Sequence, residues 1–231
     1  GNDSKLNFTF VDDADIGAGT PITPTMAGIK TVNVNVQGAA AKTLDLQDTK
    51  DIDNINISRM NSSNGITIRN IAEASDTVSV NNSAAPNGGG VFTYLNQAVS
   101  GSANQIVATL NNAQLGALTI QGVGAVPTDG FETINLVSTG SANSVTTLTT
   151  EDLATLTISG TQNLTLGGTA TTVNAAGLVE GTLYNGGLAN VAGSLERINA
   201  SAFTGNLDLV INGEINAGKD GTSGQNINLN V

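Results

Sequence analysis

The chain has 231 residues, of which only 12% are charged and 3% aromatic, and it contains no His, Cys or Trp. Its net charge of −11 argues against nucleic acid as a partner, because phosphate binding needs clustered Lys and Arg. Apolar residues are too many and too regularly placed for a disordered chain, and no apolar run approaches the roughly 18–20 residues that span a bilayer. We therefore expect a globular core of small aliphatic side chains, without large aromatic anchors and without membrane insertion.

Short segments alternate apolar side chains with Thr or Asn, which is the pattern of half-buried strands. In KTVNVNV (30–36) we expect Val32, Val34 and Val36 in the core and the residues between them to face outward. Helical periodicity is scarce, and only one short helical turn is predicted, within 91–99. In chain order, strands are predicted at 31–36, 43–46, 54–58, 66–69, 77–80, 106–110, 118–121, 133–137, 145–149, 155–158, 163–166, 171–174, 206–211 and 226–230.

The strand pattern is interrupted at NNSAAPNGGG (81–90), which predicts a loop or linker. This break suggests an N-terminal β-rich lobe over 1–90 and a β-solenoid lobe over 91–231. A single continuous domain over 26–231 is the alternative.

A six-residue motif recurs: an apolar residue, two variable residues, an apolar residue, a polar residue and a final apolar or small residue. Its central apolar residue is followed by Asn in four copies, at Asn33, Asn56, Asn135 and Asn199, which are expected to stack in ladders or to cap corners. The six copies begin at Ile29, Ile52, Leu115, Phe131, Leu153 and Leu195. Strands that repeat in this way can stack turn upon turn and share one core.

These features predict an all-β protein with an irregular parallel β-solenoid (β-helix-like) fold. The alternative is an antiparallel β-sandwich, which would also alternate but would join neighbouring strands by tight hairpins. Asn-Gly and Asp-Gly pairs at 64–65, 185–186, 212–213 and 220–221 provide some turns of that kind.

Catalysis is not expected. The absence of His and Cys removes the usual general base and thiol nucleophile. A polysaccharide-degrading solenoid could use carboxylates with Lys and Arg, but the chain has only Arg59, Arg69 and Arg197 and few aromatic rings for sugar stacking.

Acidic clusters make Ca²⁺ the one cofactor that the composition favours, because this hard cation prefers carboxylate and carbonyl oxygens. Asp45, Asp51 and Asp53 share sequence parity, so a continuous strand would place them on one side. An acidic, solvated face is the alternative. The candidate ligands are Asp12, Asp13 and Asp15 in VDDAD, Asp45, Asp48, Asp51 and Asp53 in LDLQDTKDID, and Asp220 in NAGKDGTSGQN.

Three segments of the chain resemble a known family of proteins. They are Gly130 to Leu136, Leu156 to Leu166 and Ile198 to Gly205. With their surroundings they read DGFETINL, LTISGTQNLTL and INASAFTG, and this succession resembles RTX-type surface-layer proteins of Gram-negative bacteria and related large secreted calcium-dependent adhesins. The repeated G-G-x-G-x-D loops of those proteins are absent, and the segment around Asp220 has only a degraded form of them.

The resemblance implies an extracellular protein of the bacterial cell surface that self-assembles into a calcium-stabilised lattice. The expected partner is thus another copy of the chain. A stalk or ligand-binding module of a secreted adhesin is the alternative, with a cell-surface polysaccharide as its expected partner.

Overall fold

A computed structural model describes residues 4–12, 20–61, 64–124, 128–173, 179–191, 194–211 and 228–230. These residues are almost entirely β, with one helical turn, α1 (Asn96–Val99). No helix in this part of the chain is long and apolar enough to cross a membrane. The strands are β1 (Lys5–Phe10), β2 (Thr31–Val36), β3 (Lys42–Asp45), β4 (Asn54–Met60), β5 (Ile66–Ile71), β6 (Thr77–Tyr94), β7 (Gln105–Gly122), β8 (Thr133–Thr139), β9 (Asn143–Thr150), β10 (Thr155–Gly160), β11 (Leu164–Leu166), β12 (Gly168–Val173), β13 (Val179–Asn185), β14 (Gly187–Asn190), β15 (Arg197–Phe203), β16 (Leu207–Leu209) and β17 (Asn228–Asn230).

Fifteen of these strands form one sheet that is parallel throughout its named pairs. Its main row follows the order β1-β2-β4-β6-β7-β8-β10-β15-β17. The long strands β6 and β7 also pair, through their second halves, with a further group that includes β5 and β9. The one antiparallel pair among the described strands, β12 with β13, forms a separate two-stranded sheet.

The all-β prediction is confirmed, and the parallel pairing contradicts the antiparallel sandwich. Asn64 and Gly65 lie between β4 and β5, which pair with other strands and not with each other, so no hairpin forms there. The pairs at 212–213 and 220–221 lie outside the described residues.

The parallel register stacks apolar side chains of successive strands in columns. Ile134 of β8 lies opposite Leu156 of β10, which lies opposite Ile198 of β15, and all three are fully buried. On β2, the valines at 32, 34 and 36 are fully buried while the Thr and Asn between them are half-buried, as predicted. The alternation therefore positions one core along the sheet and one polar outer face.

The core also contains large rings, contrary to the expectation of small side chains alone. Phe92, Tyr94 and Phe131 are fully buried, and the rings of Tyr94 and Phe131 meet edge to face with centroids 4.9 Å apart. The Tyr94 hydroxyl is satisfied inside the core by Ser75 Oγ at 2.7 Å. A polar partner at this depth lets the ring be buried without an orphaned hydroxyl.

The predicted loop at 81–90 is wrong, because these residues belong to β6. Backbone proximity explains Gly89: a Cβ at this position would overlap the carbonyl oxygen of Ala117 in β7. The predicted lobe boundary at residue 90 falls inside β6, and the division into lobes remains a prediction. The helical turn predicted within 91–99 is found only as α1, since 91–94 complete the strand.

Candidate functional site

An asparagine ladder runs along the outer face of the first four strands of the main row. Asn33 Nδ2 donates to Asn7 Oδ1 at 2.9 Å, and Asn56 Nδ2 donates to Asn33 Oδ1 at 2.9 Å. The ladder continues to β6, where Ser79 Oγ donates to Asn56 Oδ1 at 2.8 Å. The predicted stacking of the motif asparagines is confirmed for Asn33 and Asn56. These side-chain hydrogen bonds fix the register between neighbouring strands.

The other two motif asparagines have different partners. Asn135 Oδ1 accepts a hydrogen bond from Ser159 Oγ of the neighbouring strand at 3.2 Å. Asn199 Oδ1 accepts from the backbone N–H and the hydroxyl of Ser201, within its own strand. The motif therefore positions a polar amide on the outer face in each case, and its partner depends on the residues nearby.

Asp12, the first predicted calcium ligand, fastens the end of β1 to a turn. Its carboxylate accepts hydrogen bonds from the N–H groups of Ala39 and Ala40 at 2.6 and 3.2 Å, and it pairs with Lys42 Nζ at 3.5 Å. The hydrogen bonds from the Ala39 and Ala40 N–H groups lower the pKa of Asp12; desolvation opposes them, and Lys42 adds to the lowering. The carboxylate is thus stabilised by the protein's own donors.

Asp45 is buried at the end of β3, with 3% of its surface exposed. Burial alone would raise its pKa, but hydrogen bonds from Asn70 Nδ2 at 2.9 Å, from the Gln47 N–H at 3.2 Å and from Arg69 Nε at 2.9 Å lower it overall. These donors satisfy both carboxylate oxygens. Asp45 therefore acts as a structural anchor between β3 and β5.

The remaining acids of that cluster do not share a strand. β3 ends at Asp45 and β4 begins at Asn54, so the chain between them turns, and the one-sided placement that a continuous strand would give does not occur. Asp51, at φ 66°, accepts from the Gly28 N–H at 3.1 Å, and Asp53 pairs with Lys30 at 3.2 Å. Asp48 is exposed and lines an open groove beside Met26 and Lys50.

Within the described residues, no three acidic side chains form a group that could hold a metal ion. Asp13, Asp15 and Asp220 lie outside the described residues. Calcium binding therefore remains a prediction; of the predicted ligands that the structure describes, Asp12, Asp48 and Asp51 are exposed, Asp53 is half-buried and Asp45 is buried.

Sequence reasoning missed one acidic residue, Glu151. It follows β9 directly, is 1% exposed, and neither carboxylate oxygen has a hydrogen-bond partner of normal geometry among the described residues. Burial raises its pKa to about 7; the nearby N–H of Gly122 opposes this rise, and the charges of Asp129 and Asp152 add to it. No sequence signal marks this site, because an acidic residue between two strands is ordinarily exposed.

A shallow groove of about 290 Å³ lies on the outer face where β7 and β8 begin. Thr77, the first residue of β6, lies opposite Val107, so β7 extends two residues beyond β6 and forms a ledge. Polar side chains surround the ledge: Asp76, Gln105, Thr133 and Asn135. They can donate and accept hydrogen bonds, and no ring lines the groove among the described residues.

Comparison with protein-family models, with curated proteins and with solved structures finds no match to this chain.

Proposed function

We propose that this chain is a structural module of a bacterial surface layer, built as an irregular parallel β-solenoid that self-assembles at the cell surface and is stabilised by calcium. The observation that carries this proposal is the main row of nine strands paired in parallel over one core. Such stacking suits an extended structural element. The proposal also rests on the resemblance of the segments at 130–136, 156–166 and 198–205.

The edge of the main row offers a surface for assembly. Among the described strands, β1 pairs only with β2, so the other side of β1 presents unpaired backbone groups. Phe8 is only partly buried against the core. Its ring stacks on that of Phe10, with the two ring centroids 6.2 Å apart. An edge strand with apolar side chains can add a strand from another molecule, which supports a second copy of the chain as the partner.

The calcium part of the proposal is tested by melting curves in chelator and in millimolar calcium. A cation that binds only the folded state raises the melting temperature by mass action. We expect this rise in the wild type and in a control carrying Asp76→Asn and Asp208→Asn, but not in Asp48→Asn/Asp53→Asn. Identical wild-type curves in chelator and in calcium would remove calcium from the proposal.

The groove around Asp76 favours a second function, a ligand-binding module of a secreted adhesin. Its amide, hydroxyl and carboxylate groups match the hydroxyls of a neutral polysaccharide. Glycan-array binding by the isolated monomer, lost in Gln105→Ala but kept in Gln114→Ala, would favour this function. Absence of glycan binding would exclude it.

A further inference from the structure

Three segments of the chain meet closely at the Glu151 corner, which we define as Gly122, Asp129, Gly130, Glu151 and Asp152. Gly122 ends β7, Asp129 and Gly130 precede β8, and Glu151 follows β9. A Cβ on Gly122 would overlap the carbonyl oxygen of Asp129, and a Cβ on Gly130 would overlap that of Glu151. Glycine at both positions is what allows these backbones to approach.

The Glu151 carboxylate is directed into this contact. The position that a Cβ on Gly122 would occupy is 3.4 Å from Glu151 Oε2. Leu153, two residues after Glu151, and Phe131, directly after Gly130, are both fully enclosed in the core. Both carboxylate oxygens are thus shielded from solvent beside the core.

An adjacent position shows how the fold normally treats a buried polar group. Asn190, at the end of β14, is 8% exposed; its Nδ2 donates to Leu153 O at 2.9 Å and its Oδ1 accepts from Leu153 N at 3.1 Å. Its Oδ1 also accepts from Thr150 Oγ1 at 3.2 Å. Glu151, the residue after Thr150, has no such set of partners, and a buried carboxylate without partners is costly when ionised.

The charged groups that face Glu151 are also acidic. Asp129 and Asp152 both disfavour its ionised form, and the neutral backbone N–H of Gly122 is the one group that favours it. No ion pair of Glu151 with Lys or Arg occurs within the described residues. Two nearby negative charges and burial therefore act in the same direction.

We propose that the Glu151 corner is a proton-binding switch: Glu151 is protonated when the corner is closed, and loss of the proton loosens the contact between the ends of β7 and β9 and the start of β8. This inference does not depend on the proposed function. It adds a pH-sensitive contact to a fold whose other described acids include well-paired groups such as Asp45.

The composition makes this switch unusually easy to detect. The chain has no His and no Cys, so no other side chain has an ordinary pKa between about 5 and 8. The Glu151 pKa is raised in the folded protein, so its contribution to stability is complete below about pH 4.5 and is lost as pH rises through about 7. Over that range, the equilibrium constant for unfolding should increase by on the order of 100-fold.

The experiment is urea unfolding from pH 5 to 8.5, in chelator, of the wild type, Glu151→Gln and the control Asp208→Asn. We expect the wild type and Asp208→Asn to lose stability with rising pH, and Glu151→Gln to change little and to exceed the wild type at pH 8.5. A wild type with constant stability over this range would overturn the proposal, and so would a Glu151→Gln variant with the full pH dependence.

A measurement on the wild type alone keeps the proposal testable if the variant does not fold. Side-chain carboxyl carbons of the six glutamates can be followed by ¹³C nuclear magnetic resonance during a pH titration. We expect one of them, Glu151, to titrate near pH 7. The absence of any carboxyl resonance that titrates near pH 7 would overturn the proposal.

Discussion

Replacement of Leu156 by Ala should destabilise the protein far more than replacement of its neighbour Thr157. Leu156 is fully buried on β10, between Ile134 of β8 and Ile198 of β15. Thr157 points to the outer face of the same strand and is half-buried. The pair therefore compares the two faces of one strand at adjacent positions.

The expected size of the effect follows from the packing around Leu156. Leu→Ala removes three carbon atoms, whose burial contributes about 2.4 kcal/mol to stability at ~0.8 kcal/mol each. Strands on both sides hold the backbone in place, so the cavity collapses only in part and adds about 1 kcal/mol. We expect a loss of about 3–4 kcal/mol for Leu156→Ala and about 0.5 kcal/mol or less for Thr157→Ala.

Urea unfolding followed by far-ultraviolet circular dichroism at one fixed pH measures both values. The unfolding midpoint and slope together give the change in free energy. A loss below about 1 kcal/mol for Leu156→Ala, or equal losses for the two variants, would contradict the assignment of the inner and outer faces.

Four further variants test other contacts by the same unfolding assay. Gly89→Ala should cost about 1–3 kcal/mol because the new Cβ overlaps the backbone of the adjacent strand; full stability would contradict the close approach. Asn56→Ala should lower the free energy of unfolding by about 1–3 kcal/mol because it interrupts the ladder. Its control, Asn199→Ala, loses hydrogen bonds only within its own strand and should cost less. The reverse order would refute the ladder's role. The wild type should lose stability as pH falls through the lowered pKa of Asp45, since the fold stabilises the charged form of this carboxylate. The Asp45→Asn variant should lack this part of the acid destabilisation. An acid dependence equal to that of the wild type would disprove the role of Asp45.

Alternation along the strands was the part of the fold that sequence patterns predicted well. On β2 and β4, the apolar residues of the motif, such as Val32 and Ile55, lie opposite each other in the core. The period-2 pattern determines which face is buried, and it is local, so it can be read without knowing the partner strand.

The motif itself was less reliable where a polar residue replaces its first apolar position. Val78 and Val80 lie in the main row opposite Ile55 and Ile57, yet Ser75 stands where the motif has an apolar residue. Ser75 is buried, and its hydroxyl forms a hydrogen bond with the buried Tyr94 hydroxyl. Only the three-dimensional contact explains that substitution, so the motif search passed over this strand.

Sites that depend on contacts between distant segments could not be predicted. The glycines at 88–90 indicated a loop, although Gly89 is the residue that allows β6 and β7 to approach closely. Likewise, the acidic residues of 45–53 looked like one cluster, but the turn after β3 gives them separate partners. Glu151 attracted no prediction, yet it is buried, because the end of β7 and the segment before β8 pack against it.

Electron microscopy of the purified protein, with millimolar calcium and with chelator, tests the proposed function most directly. The proposal predicts ordered sheets or filaments in calcium that dissolve when calcium is chelated. Monodisperse single particles under both conditions, at concentrations at which the protein remains folded, would contradict a self-assembling surface-layer module.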